Sequence, residues 1–290
     1  MTTTVLPEAH SPHDAPNVAP PGARRPARVR RVPVSLALSV AVVVLVVAWA
    51  LLPDVFAHQD PVTGVPAQKF LPPGAAHWFG TDHLGRDVYS RIVHGTASSV
   101  LSALVAVGIG VVVGGVLGLV AGFVGGWVDA VVGRTVDVLL AVPGFLLAVV
   151  VVSALGFQTI NAAVATGVSA VAVFARVMRA EVLKVRRATF VEASTLAGGS
   201  SLHVLVRHVL PNAYRSVLAL SVLQLGVSIL VIAGLAFLGY GDPPPASDWG
   251  LLVASGKNYP LAPWLVLAPA AVIVVVVLSV NRVSRRLRQA

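Results

Sequence analysis

Between two long apolar runs the chain reads Phe190-Val191-Glu192-Ala193-Ser194-Thr195-Leu196-Ala197-Gly198 and, further on, His208-Val209-Leu210-Pro211. Both pieces lie in a charged, glycine-broken stretch from Arg176 to Arg215. Phe190–Ala197 and Ser200–Val209 each carry a helix-compatible pattern; Gly198-Gly199 separates them and Pro211 is expected to close the second. Glu192 falls in the first turn of the first helix, where the helix dipole favours an acid. Two short helices at a glycine corner make a compact, water-facing knob, and such a surface reads as a docking element for a partner.

The rest of the chain is membrane in character. Hydrophobic residues make up 56% and charged residues 11%, and several apolar runs exceed the roughly 18 residues needed to cross a bilayer. Backbone polar groups in lipid must be bonded internally and no two-residue alternation is present, so the runs are helices. The expected class is an all-α membrane protein with six transmembrane helices: Val34–Leu52, Ser98–Phe123, Thr135–Leu155, Ile160–Val177, Val217–Leu238 and Pro263–Val280. Lys and Arg set the orientation. Seventeen of the 21 fall in the N-terminal arm, Arg134, the Arg176–Arg215 stretch and the C-terminal tail, which places both termini and the knob in the cytoplasm. The net charge of +9 is therefore a topology signal and not a nucleic-acid footprint, because the basic residues hug span ends. Four segments follow: a disordered basic arm (1–33), a first helix with its extracytoplasmic loop (34–97), a five-helix core carrying the 176–215 loop (98–281) and a basic cytoplasmic tail (282–290). The arginine cluster before Val34–Leu52 imitates a signal peptide, but the apolar stretch is too long, so an uncleaved anchor is expected.

Several chemistries lack their residues. There is no cysteine, which removes disulfides, thiolates and iron–sulfur ligation. The eight histidines lie outside the span cores, where haem ligands or an intramembrane base would be needed. No G-x-x-x-x-G-K-[ST] phosphate loop occurs. Gly167-Val168-Ser169 and Gly226-Val227-Ser228 read as packing surfaces. Intramembrane acids of the kind a proton relay uses are scarce, with Asp137 the main case.

Within the spans, glycines at 110, 114, 118, 122 and 126 fall close to one line of a helix, for tight packing or a pore-lining face. Arg134 and Asp137 are spaced to neutralise each other, and Pro143-Gly144 is expected to kink the third span. Ser221, Gln224 and Ser228 share one face, either for interhelical hydrogen bonds or as a polar strip along a substrate path. Outside, His77 to Asp87 holds His77, Asp82, His83 and Asp87; glycine and proline punctuation favours an ordered turn over a metal site. The second outer loop, Gly239 to Gly250, cannot be helical through Pro243-Pro244-Pro245 and is expected to cap or re-enter the outer mouth. Trp78, Asp82, Arg86, Asp87, Asp242 and Trp249 are the candidates for an outer surface that meets a partner.

Glu192-Ala193-Ser194, three residues, Gly198, nine residues, His208, one residue, Leu210-Pro211 resembles the E-A-A-x3-G-x9-I-x-L-P motif of inner-membrane permease subunits of bacterial ABC importers. Serine replaces the second alanine and histidine the isoleucine. The histidine, with Arg207 before it and Pro211-Asn212-Ala213 after, is similar to the "C"-type permeases of the dipeptide/oligopeptide branch. Phe79 to Asp87, Gly125-Gly126-Trp127-Val128-Asp129, Phe237 to Gly241 and Trp249-Gly250 add to the resemblance, which spans about Trp78 to Trp264; the tail departs, lacking a Gly-Asp-x-Leu ending. The resemblance implies a type I ABC importer permease fold in the bacterial plasma membrane. It implies a non-catalytic subunit forming half of a transmembrane pathway for di- or oligopeptides, although the same fold also serves nickel, haem and other small solutes. Its implied partners are a second homologous permease, two ATP-binding subunits that hold ATP and Mg, and an extracytoplasmic substrate-binding protein. Glu192, Ala193, Ser194, Gly198, Arg207, His208, Leu210 and Pro211 would be the ATPase-coupling residues. A membrane enzyme or assembly scaffold is the reading from another class.

Overall fold

A computed structural model describes residues 34–287; the expected N-terminal arm and the last three residues of the tail lie outside the described residues. The described residues are helical apart from loops and one isolated bridge, Thr81 with Asp87. The helices are α1 (Val34–Leu51), α2 (Pro53–Phe56), α3 (Val88–Val124), α4 (Gly126–Ala141), α5 (Gly144–Leu155), α6 (Thr159–Arg186), α7 (Thr189–Leu196), α8 (Ser201–Phe237), α9 (Trp249–Gly256) and α10 (Trp264–Leu287). Five of these are long and apolar enough to cross a membrane, or six if the α4–α5 pair, bent by 94°, is counted as one span.

The six apolar runs are all helical, but the helices run past them wherever a charged residue finds a partner. α3 starts at Val88 and not at Ser98, capped by Asp87, whose carboxylate accepts from the Ser90 N–H. Arg91 and His94 dilute the apolar pattern of its first turns, yet Arg91 donates to Asp82 at 2.8 Å and His94 contacts the Ser90 carbonyl at 2.8 Å. α6 runs on to Arg186 because its basic turns pair with α4. α10 also takes in Arg282, Arg285 and Arg286, so the described part of the expected tail is helix, pinned not by these arginines but where Ser284 donates to the Ala219 carbonyl.

One expectation is met and exceeded, and two need correction. Pro143 breaks the third span outright: Val142 before it is extended (φ −89°, ψ 131°), the conformation that proline imposes on its predecessor, and a new helix begins at Gly144. Asp137 does not pair with Arg134; it takes Arg176 of α6 at 2.5 Å. Pro211 does not close a helix. Ahead of it, Leu205–Val209 forms a π turn in which the Leu210 N–H reaches the Leu205 carbonyl. The wider turn accommodates a ring that has no N–H to give and would clash with a regular preceding turn, and α8 continues through to Phe237.

α6 is the central post, packed by α3, α4, α5 and α8. The glycine stripe of α3 is its seam. A Cβ on Gly114 would lie 2.4 Å from the Val171 carbonyl oxygen, and one on Gly118 2.3 Å from that of Ala175. Only glycine lets the backbones meet so closely. Gly126, last in the stripe, meets nothing within 4 Å and belongs to α4.

Candidate functional site

The knob stands at the basic end of the bundle. Buried Val191, Val204 and Val209 fasten it to Phe174, Met178 and Val182 of α6 and to Ala213 and Val217 of α8. Its corner is a Schellman motif: the Gly198 N–H reaches the Thr195 carbonyl at 3.1 Å and the Gly199 N–H the Ser194 carbonyl at 3.0 Å. Gly198 has φ +85°, the left-handed region that glycine enters without penalty. A Cβ on Gly199 would sit 2.8 Å from the Ser194 oxygen. Ser200 then starts α8, its hydroxyl accepting from the His203 N–H at 3.3 Å. Arg186 ties the base to α3, donating to the Gly122 carbonyl at 2.9 Å and lying over the Phe123 ring.

The knob turns its sticky side outward. Leu196 is 88% exposed and Leu202 69%, with Phe190 and Val206 about half exposed. Glu192, Ala193, Arg207 and Pro211 are also exposed, while Ser194, His208 and Leu210 are half-buried. Apolar tips rimmed by charge are the make-up of a protein-docking surface.

The opposite end corrects the sequence reading. Asp82, Arg86, Asp87 and Trp249 are buried and therefore build the outer loops instead of forming their surface. Asp82 accepts from the Leu84 and Arg86 N–H groups, from Arg86 Nε at 2.7 Å and from Arg91 Nη1 at 2.8 Å. Burial pushes this carboxyl up, but the backbone donors of Arg86 and Leu84 and the Arg86 guanidinium outweigh it, leaving it below its usual value. His77 engages Asp87 at 2.9 Å, and His83 stacks on Tyr259; the four residues of the metal reading are thus divided among three different contacts. Trp249, 1% exposed, donates from Nε1 to the Ile92 carbonyl. Asp242 and Thr159 exchange two hydrogen bonds that clamp the loop to the start of α6. Arg91 reaches the Ala246 carbonyl, and Gly95 lies under Ser247, so the proline loop caps the α3 end. Burial raises the carboxyl of Asp248, which caps α9. Of the six outer candidates Trp78, 63% exposed, offers itself to a partner. The Asp82–Arg86 spacing was the available sign of an internal pair.

On α8, Ser221 donates to its own helix at the Val217 carbonyl and Gln224 is half-buried. Ser228 is fully buried, its hydroxyl without a partner; it sits inside the bundle and not on an open wall. A feature the sequence reading passed over lies between α4 and α6: a groove of about 500 Å³ lined by Asp129, Arg134, Asp137, Arg176 and Arg179 among others.

A helical bundle with one helix pair sharply bent, a glycine-seamed core and an exposed two-helix knob defines a multi-pass membrane protein. The chain belongs to the family of binding-protein-dependent transport system inner membrane components, whose profile matches residues 114–290. It is 34% identical over 244 residues to the probable D,D-dipeptide transport system permease protein DdpC of Escherichia coli (strain K12), covering 84% of this chain and 82% of that one. It is 40% identical over 219 residues to the glutathione transport system permease protein GsiD of Shigella flexneri serotype 5b (strain 8401), covering 75% and 72%. A solved structure described as "an amino acid ABC transporter with histidines" shares the fold: TM-score 0.54, 16% identity, 70% of this chain and 94% of that one.

Proposed function

We propose that this inner-membrane permease forms half of the transmembrane pathway of an ATP-driven importer for di- or oligopeptides. The relatives named for D,D-dipeptide and glutathione transport support the cargo class. The observation that carries the coupling role is the knob: anchored by three buried valines, closed by a Schellman corner, and presenting Leu196 and Leu202 outward. In this reading both termini and the knob are cytoplasmic. The knob, from Glu192 to Pro211, inserts into a cleft on one of two ATP-binding subunits, which hold the ATP and Mg. A second homologous permease completes the pathway, and an extracytoplasmic binding protein delivers the cargo near Trp78. Ser221 and Gln224 are the α8 side chains available to the path.

Affinity purification of the tagged chain from its native membrane tests this. The expected result is recovery of two ATP-binding subunits and a second six-span permease, with peptide uptake by vesicles containing the assembly and the binding protein. Recovery of the chain alone under conditions that preserve membrane complexes, or an assembly that takes up no peptide, would refute it.

A further inference from the structure

The α4–α6 groove holds more charge than a packing contact needs. Asp129 accepts from Arg179 with both oxygens, from Nε and, at 2.7 Å, from Nη2, and Asp137 accepts from Arg176 at 2.5 Å. Arg134 also lines it, and no described residue forms an ion pair with it. Three arginines thus face two aspartates, leaving one cation uncompensated. The Arg176 and Asp137 side chains are 56% and 63% exposed. Counting along α6 from Thr159, Arg176 lies about 26 Å from the outer end, close to the far edge of a hydrocarbon layer of about 30 Å. An ion pair so exposed near that edge faces water and not acyl chains, which opens the groove to the aqueous side.

We propose that this groove is the inner section of the cargo path and that Arg134 receives the carboxylate of the peptide as it leaves. This rests on the importer reading above. A guanidinium fork matches a carboxylate with two parallel hydrogen bonds. The neighbouring paired acids make the wall mixed in sign, which suits a zwitterionic ligand and disfavours the purely anionic phosphate of a lipid headgroup.

The chain has no cysteine, and a Cβ on Gly133, in the groove wall, meets nothing within 4 Å, so Gly133→Cys provides a clean reporter. In the assembled transporter, read on the band of this chain, Gly133→Cys should react with a membrane-impermeant maleimide from the cytoplasmic face. A transported free-acid peptide with the binding protein and ATP should slow that reaction. Arg134→Gln should abolish the protection and lower uptake about ten-fold, the value of one lost charged hydrogen bond, while Arg134→Lys should restore part of both. Reaction only with a lipid-soluble maleimide would overturn the proposal, as would protection and uptake unchanged in Arg134→Gln or an equal loss in Gln and Lys variants. Uptake of the peptide by the unsubstituted transporter, measured in the same vesicles, judges the importer reading separately. If that uptake is absent the cargo class falls, whatever the reporter shows about water in the groove.

Discussion

Gly198 is surrounded by open space, so its requirement for glycine comes from φ alone. A side chain in the left-handed region costs about 1–2 kcal/mol, less for asparagine. ATPase pull-down and uptake should therefore fall in the order Gly198, Gly198→Asn, Gly198→Leu, with membrane insertion intact, because the corner lies outside the lipid-embedded helices. Glu192→Lys should weaken association more than Glu192→Gln, since it places a cation at a helix start and reverses a contact with donors. Normal association and uptake in both Gly198→Leu and Glu192→Lys would remove the coupling role. Asp82 makes the opposite kind of case. Asp82→Asn leaves Arg86 and Arg91 buried without their anion, a loss of about 3–5 kcal/mol, read as a lowered Tm in detergent. Because its folded pKa is depressed, the contribution is present above the unfolded value of about 3.9 and is lost as pH falls through the lower folded value. Protease resistance of the outer loop should stay level from pH 7 to about pH 5 and decline only below the ordinary carboxylate range; a decline near pH 6 would contradict this.

The π turn of α8 does for an element what φ does for Gly198. It inserts one residue into the winding, so the knob side of α8 is rotated by about 100° relative to a regular helix. Pro211→Ala restores an N–H and allows the turn to rewind to α geometry. The chain should still fold and join its ATPases, but stimulation of ATP hydrolysis by the loaded binding protein should drop several-fold. Unchanged stimulation would mean that the turn is only a proline accommodation. The same turn shows where the sequence stopped being readable. Apolar length alone reveals six crossings, and the Gly198 corner is visible because its rule is local. The helix ends were hidden because they depend on pairs far apart in the chain, such as Arg91 with the Ala246 carbonyl and Asp137 with Arg176. The outer loop misled for a related reason: aspartate and arginine signal an exposed surface when read singly, and a buried cluster only when Asp82, Arg86 and Arg91 are brought together. The rule that proline ends helices places a stop at Pro211, and a π turn is the exception that the residue pattern does not announce.

At the scale of the molecule, the seam between α3 and α6 and the buried valines of the knob pack bundle and knob as one unit. A ligand shifts such a unit between inward- and outward-facing states only by binding one more tightly. Moving the balance from 1:99 to 99:1 takes about 5.5 kcal/mol of differential binding. The chain carries no phosphate loop, and in the proposed function ATP supplies that difference through a partner that grips the knob. The purified chain in liposomes should therefore hydrolyse no ATP and move no peptide. Adding the ATP-binding subunits and the second permease should give hydrolysis, and the loaded binding protein should raise it further, because it favours the state that ATP closure also favours. Knob variants that assemble weakly should lose this stimulation before they lose basal turnover, since in the proposed assembly basal turnover belongs to the ATP-binding subunits. ATP hydrolysis by the single chain, or stimulation that survives Gly198→Leu and Glu192→Lys combined, would place the energy input somewhere other than the knob.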